Sequence, residues 1–502
     1  MTASRTVAAA ADSAQVWRRL RGLVATEVRL ARRMGVLAAV AAVTVLWAAV
    51  VVTLAADVRR VVVPLILFTD VTALGLLFVP ALLVVERVER CDAAMRLTPL
   101  RPGERLGVRV GMTTVWSVTA ATIVTLAAGL PDIAVRLLGV ATSSLLFALI
   151  ACAVLGTSST LTTFLTRTPL IAAPLITPAL AAYSNLSDTT LLQVSPLTSA
   201  LDMMAGHMSW SGLALQLVCI VGVAALATRT ADRSALDHPA TPPRRPTGRD
   251  EPGHPGRYRL AAALRSFARA DRRSLTGDAL LLLLAVSVPL VALVARMLGG
   301  VGAQWVRQRY GIDLAPHLPL VWALLLVLHT PMVFGALTGL LLLEDRDEHR
   351  LPVIAATRSS LATLLGYRLG TTAAATAAAL ALSLPLAEVT HHAGASGLLG
   401  VLLAAAALSA VPALLMAALA GNRVQGMAVM KIIGLPLYLP LASWFLPGAA
   451  RWIFAPLPST WTAWALWATT PFRALAATAV SVALTAVVAV PLTRRFLAGA
   501  AR

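Results

Sequence analysis

The chain has 502 residues, of which 58% are hydrophobic and 13% charged, and its mean hydropathy is +0.79. A soluble domain carries roughly 25% charge, so a soluble globule, a disordered chain and a collagen are all excluded. The net charge of +19, from 42 Lys+Arg against 23 Asp+Glu, does not call for nucleic acid, because cytoplasmic loops of membrane proteins collect basic residues.

Met1 to Val16 is Ala-rich and polar, with no apolar h-region before the first arginine cluster, so no cleavable signal peptide is expected. Val16, Leu20, Leu23, Val24, Val28 and Ala31 then share one helical face flanked by arginines. That pattern predicts a helix lying in the headgroup plane. Twelve apolar runs follow, at about 36–56, 63–85, 108–130, 137–160, 170–186, 209–228, 279–298, 318–343, 367–386, 397–420, 427–446 and 471–491. Most approach the ~20 residues that cross a bilayer core of about 30 Å. They are continuous rather than alternating, which predicts helices and not barrel strands. The fifth run, with Pro174 and Pro178, and the eleventh, with Pro436 and Pro440, are expected to break or kink.

Arginines cluster before the first run (Arg18, Arg19, Arg21, Arg29, Arg32, Arg33), between the second and third, and after the last (Arg494, Arg495, Arg502). Fewer lie on the other side, among them Arg59, Arg60, Arg136 and Arg451, so both termini are expected to be cytoplasmic. Trp444, Trp452, Trp461, Trp464 and Trp467 read as an aromatic belt at the outer interface.

Residues 229–257, rich in Pro and Arg, form a solvated linker between two halves, 1–228 and 258–502. The halves match at a constant offset. Glu86, Arg87, Glu89 and Thr98 meet Asp345, Arg346, Glu348 and Thr357, and Leu106, Gly107, Arg109 and Gly111 meet Leu365, Gly366, Arg368 and Gly370. Leu260, Leu264, Phe267, Ala268 and Leu275 repeat the amphipathic entry helix. The expected fold is therefore an all-α polytopic membrane protein of about twelve transmembrane helices, arranged as two parallel six-helix repeats.

Charge concentrates in the loop after the second run of each half: Glu86, Arg87, Glu89, Arg90, Asp92 and Arg96 in one, Asp345, Arg346, Asp347, Glu348 and Arg350 in the other. The spacing predicts a helix continuing into the cytosol. Pro102 and Ser360 mark where the next helix starts, as a first-turn proline and an N-cap. An exposed, charged loop of this kind suits partner docking, although it also reads as an ordinary solvated loop.

The run Glu86-Arg-Val-Glu89 followed by Met95-Arg-Leu-Thr98-Pro99-Leu100-Arg101-Pro102-Gly-Glu104-Arg-Leu106 resembles the cytoplasmic loop of ABC-2 type exporter permeases, and is similar to the bacterial fluoroquinolone-export type. The second half departs from it, with Thr357-Arg358-Ser359 in place of Thr98-Pro99-Leu100. The resemblance implies an exporter permease in a bacterial inner membrane. It would have an elbow helix and a coupling loop in each half, and ATP and Mg would be bound by separate ATPase subunits, two copies in all. The largely apolar runs favour an amphipathic or hydrophobic small molecule as its cargo.

Lys431 is the single lysine and sits in Val-Met-Lys-Ile, so the chain carries no Walker A motif and is expected to be no enzyme. Cys91, Cys152 and Cys219 lack metal-ligand spacing, so no disulfide framework, metal site or bound cofactor is expected. Asp70 in the second run and His329 in the eighth are equivalent under the repeat. Ionisable groups at membrane depth are costly and usually face a cavity or a partner. The two either line a transport pathway or sit near the outer interface bonded to neighbours. A proton-coupled twelve-span transporter, and a membrane enzyme or scaffold with Glu388, His391 and His392 at its nearest polar cluster, are the competing functions.

Overall fold

The computed structural model describes residues 2–72, 102–158, 161–184, 195–236, 279–311, 313–348, 350–356 and 361–500, with 74–76, 79, 83, 265, 267 and 268 besides. All regular structure among the described residues is helical. The chain divides into two compact units, residues 1–249 and 250–502.

In the first unit the helices are α1 (Thr2–Arg33), α2 (Val36–Thr53), α3 (Ala56–Ile66, running into a π turn at Leu67–Val71), α4 (Pro102–Ala128), α5 (Ile133–Gly156), α6 (Leu161–Tyr183), α7 (Pro196–Ala205) and α8 (Trp210–Leu236). α4 opens on Pro102, whose missing N–H costs nothing at a first helical turn. The apolar window of α5 is 78% buried, against 22% for α2 and 17% for α8. α5 is therefore the axis of the unit, with α4, α7 and α8 packed on it and α2 packed on α4. Small residues allow this. A Cβ on Gly139 of α5 would lie 2.7 Å from the carbonyl oxygen of Ala200 in α7. Leu126, Leu217, Val218 and Val221 stay exposed, as lipid-facing side chains must.

In the second unit they are α9 (Ala279–Tyr310), α10 (Leu318–Trp322), a π segment (Ala323–Leu328), α11 (His329–Asp347), α12 (Arg350–Ala356), α13 (Leu361–Leu386), α14 (Thr390–Leu408), α15 (Ala410–Leu419), α16 (Arg423–Tyr438), α17 (Pro458–Trp467) and α18 (Pro471–Ala500). α13 begins one residue after Ser360. α14 packs on α13, α17 and α18, α9 packs on α13, and α15 packs on α11. At that last contact a Cβ on Gly335 would sit 2.5 Å from the carbonyl oxygen of Ser409.

Eight helical stretches among the described residues are long and apolar enough to cross a bilayer: Val36–Thr53, Gly103–Ala128, Ile133–Gly156, Trp210–Thr230, Ala315–Asp347, Leu361–Leu386, Gly397–Leu419 and Pro471–Gly499. Shorter apolar helices, Leu170–Tyr183, Val286–Met297 and Val429–Trp444, fall on the fifth, seventh and eleventh predicted runs. The second run extends beyond the described residues. The chain is thus a multi-pass membrane protein.

The two proline-bearing runs behave differently. Pro174 and Pro178 lie within the continuous α6, because in an apolar setting helix has no competitor for satisfying the backbone. At the eleventh run α16 ends at Tyr438 and passes into a 3-10 turn, Leu439–Trp444. Pro436 and Pro440 remove two N–H donors there, and the tighter turn tolerates the loss.

Candidate functional site

The loop charges of the second unit divide into inward and outward groups. α11 carries its helix past the apolar stretch to Asp347. Asp345 is buried and ion-paired with Arg368 of α13, its Oδ2 standing 2.8 Å from Nη2. Its Oδ1 lies 3.6 Å from Arg350 Nη1. Arg350 also pairs with Glu348, both side chains being about half exposed. Arg346 donates from Nη1 to the Ala420 carbonyl at 2.6 Å and stands 5.6 Å above the Phe496 ring. Asp347 is half-buried. The exposed, charged loop expected from sequence is thus exposed at Glu348 and Arg350 but not at Asp345, because an arginine on the neighbouring helix draws that carboxylate inward. Glu86, Arg87, Glu89, Arg90, Asp92, Arg96, Thr98 and Thr357 lie outside the described residues.

The first unit holds a matching arginine. Arg109 of α4 is buried and binds Glu27 of α1 through two N–H groups, Nε at 3.2 Å from Oε2 and Nη2 with Oε1. Arg19 and Glu104 add a second link between α1 and α4, at 3.5 Å. Leu23, Glu27 and Ala31 are spaced by four and form the buried stripe of α1. One member of the predicted apolar face is therefore an acid. The sequence pattern brought out Arg109 only as a repeat position and passed over Glu27. The available signal was the equivalence of Arg109 with Arg368, which positive-inside statistics do not require.

Asp70 and His329 each find a side-chain partner beside a π segment. Asp70 lies within the π turn of α3, and its Oδ2 accepts from Trp47 Nε1 of α2 at 2.7 Å. Trp47 is six residues from the end of α2, about 9 Å along the axis. His329 directly follows the second π segment, and its Nδ1 is 3.1 Å from the Tyr438 hydroxyl. A π turn widens the helix, displaces one carbonyl from its regular bond, and often marks a functional position. In the first unit the Ser117 hydroxyl donates to the Val71 carbonyl at 3.1 Å and accepts from Ser144 at 3.0 Å.

Two of the arginines read as outer-face residues serve helix ends. Arg59 donates to the carbonyls of Val52, Leu54 and Ala128, and Arg136 to those of Pro131, Met204 and Ala205. Each closes helix C-termini whose last carbonyls have no internal donor. The tryptophans form edge-to-face pairs, with Trp464 5.0 Å from Trp461 and 5.1 Å from Trp452, and Arg451 lies over Trp452 and Trp464. Trp444 Nε1 reaches His317, and Trp467 Nε1 reaches the Pro319 carbonyl. Glu388 pairs with Arg296 on the surface at 3.3 Å. Among the described residues no group of three His, Cys, Asp or Glu is placed to hold a metal ion.

Two family models match the chain in tandem. The one described as the fluoroquinolones export permease protein family matches residues 18–235. The one described as fluoroquinolones export permease protein Rv2686c-like matches residues 271–493. The fluoroquinolones export permease proteins of Mycobacterium tuberculosis strains CDC 1551 and H37Rv are each 29% identical over 206 residues, which is 41% of this chain and 82% of the relative. With a match across each of its units, the chain belongs to the fluoroquinolone export permease family.

Proposed function

We propose that this chain is a twelve-span permease subunit of an ATP-driven exporter, with two parallel six-helix halves fused in one polypeptide. The observation that carries the reading is the tandem family match, one model for each compact unit. Each relative matches 41% of this chain with 82% of its own length, as a one-half permease would. The packing agrees: in each unit the fourth span or its counterpart carries the third and sixth spans and the short helix before the sixth.

ATP and Mg belong to two separate ATPase subunits in the cytoplasm, on the same side as both termini. Glu348, Arg350 and Asp347, with Glu86, Arg87, Glu89, Arg90, Asp92, Arg96, Thr98 and Thr357, form the coupling surfaces. Asp345 and Arg346 position the second of these from beneath. Nucleotide-bound and nucleotide-free ATPases hold the loops differently, and that difference in contact free energy shifts the permease between inward and outward states. The cargo is a small amphipathic molecule of the kind named for the relatives, a fluoroquinolone drug, moved outward across a bacterial inner membrane. Asp70 with Trp47, and His329 with Tyr438, line its path.

Copurification tests the reading. The tagged chain should bring down an ATPase whose hydrolysis is stimulated by substrate, and transport in proteoliposomes should require ATP. Transport driven by a proton gradient alone, with no ATPase bound, would overturn it.

A further inference from the structure

The second unit has a cavity of about 520 Å³ where α11, α15 and α18 end, lined by Arg346, Arg495, Leu419, Ala420, Gly421 and Phe496 among others. Its size falls in the ~300–1,000 Å³ range of small-molecule sites. We propose that this cavity binds the headgroup of an anionic phospholipid.

Four observations support the assignment. The Arg346 guanidinium is held in place by one bond to the Ala420 carbonyl and by the face of Phe496, which uses one of its five N–H donors on the carbonyl. Arg495, from the last turns of α18, is exposed and lines the same cavity. A phosphodiester between two guanidinium groups forms charge-assisted hydrogen bonds, and Asp347, next to Arg346 in the chain, is the acid that such a phosphate must avoid. The remaining lining is apolar, and Leu419 is 48% exposed at the end of its helix, as suits the glycerol and first acyl carbons. An acidic protein side chain would leave that surface uncovered. The cavity lies at the face carrying the C-terminus, the side proposed above as cytoplasmic, where basic pockets between span ends meet anionic headgroups.

Native mass spectrometry of the purified full-length chain, titrated with phosphatidylglycerol and phosphatidylcholine, tests this. Wild type is expected to retain phosphatidylglycerol at least tenfold better. R495Q should lower that preference severalfold, while R494Q, which removes the neighbouring exposed charge, should not. R346K keeps a cation at the helix end and should also weaken retention, because it loses the planar fork. Equal retention by wild type and R495Q would overturn the proposal, as would an equal effect of R494Q. Inorganic phosphate that displaces the lipid at millimolar concentration would show a free-anion site instead. Loss of ATPase copurification in R495Q with lipid retention intact would assign the cavity to the protein partner and overturn the lipid reading.

Discussion

Arg109 and Glu27 are ion-paired with side-chain exposures of 1% and 4%, which fixes the entry helix α1 to the start of α4. A buried pair of this kind contributes little net stability compared with an apolar replacement, but it is costly to break from one side only. Glu27→Ala should therefore destabilise the protein by about 3–5 kcal/mol, since it leaves a buried guanidinium facing an apolar stripe. The double variant Glu27→Met with Arg109→Leu should recover most of that loss. Thermal unfolding of the purified protein in detergent reads both.

Asp345 and Glu348 should separate an effect on folding from an effect on the proposed ATPase coupling. Asp345→Ala removes a buried carboxylate from Arg368 and should cost about 3–5 kcal/mol. Glu348→Ala breaks a half-exposed pair with Arg350 and should cost at most ~1 kcal/mol. Glu348→Ala should fold normally yet bind the ATPase more weakly. A variant with unchanged ATPase stimulation would remove Glu348 from that surface.

The length of eight of the apolar runs was legible in the sequence because membrane burial selects it directly, and so were the helix starts at Pro102 and after Ser360, which local chemistry determines. The partners were not. Trp47 lies 23 residues before Asp70, and Tyr438 lies 109 after His329, so only packing brings them together. The inward turn of Asp345 depends on Arg368 one helix away, and a charged loop read alone looks solvated throughout. Glu27 was hidden for the opposite reason: it sits on a face that its neighbours mark as apolar. The π segments carry no local signature that separates them from ordinary apolar helix.

Asp70 and His329 should matter for transport but not equally for folding. Trp47→Phe removes the indole donor while keeping the ring. A hydrogen bond is worth roughly 0.5–1.5 kcal/mol net, so a role in the path predicts a fall in transport of about two- to tenfold. Asp70→Asn combined with His329→Ala should alter both the rate and its pH profile. Flux measurements showing neither change would leave these residues with interface bonding alone.

Gly335 and Gly366 should respond to alanine with opposite sign. At Gly335 the added methyl meets the Ser409 carbonyl at 2.5 Å and the Pro412 side chain at 3.0 Å, so α11 and α15 must separate. Overpacking of this kind costs about 1–3 kcal/mol. At Gly366, inside α13, nothing lies within 4 Å, and alanine should stabilise by roughly 0.5–1 kcal/mol through helix propensity alone. Thermal unfolding of the two single variants gives the comparison.

Asp202 provides a pH test outside the long helices. It lies one turn before the end of α7, where burial raises its carboxyl above the ordinary value of 3.8 and His207 partly opposes the shift. The native state therefore holds the proton more tightly than the unfolded chain does. That contribution is fully present below the unfolded carboxylate value and is lost as pH rises through the folded one. Asp202→Asn should remove the loss, so the variant gains stability relative to wild type at neutral pH and the gain shrinks towards pH 4. Unfolding curves for both proteins across that range decide it, and a gain that grows on acidification would show Asp202 to be stabilised as the carboxylate.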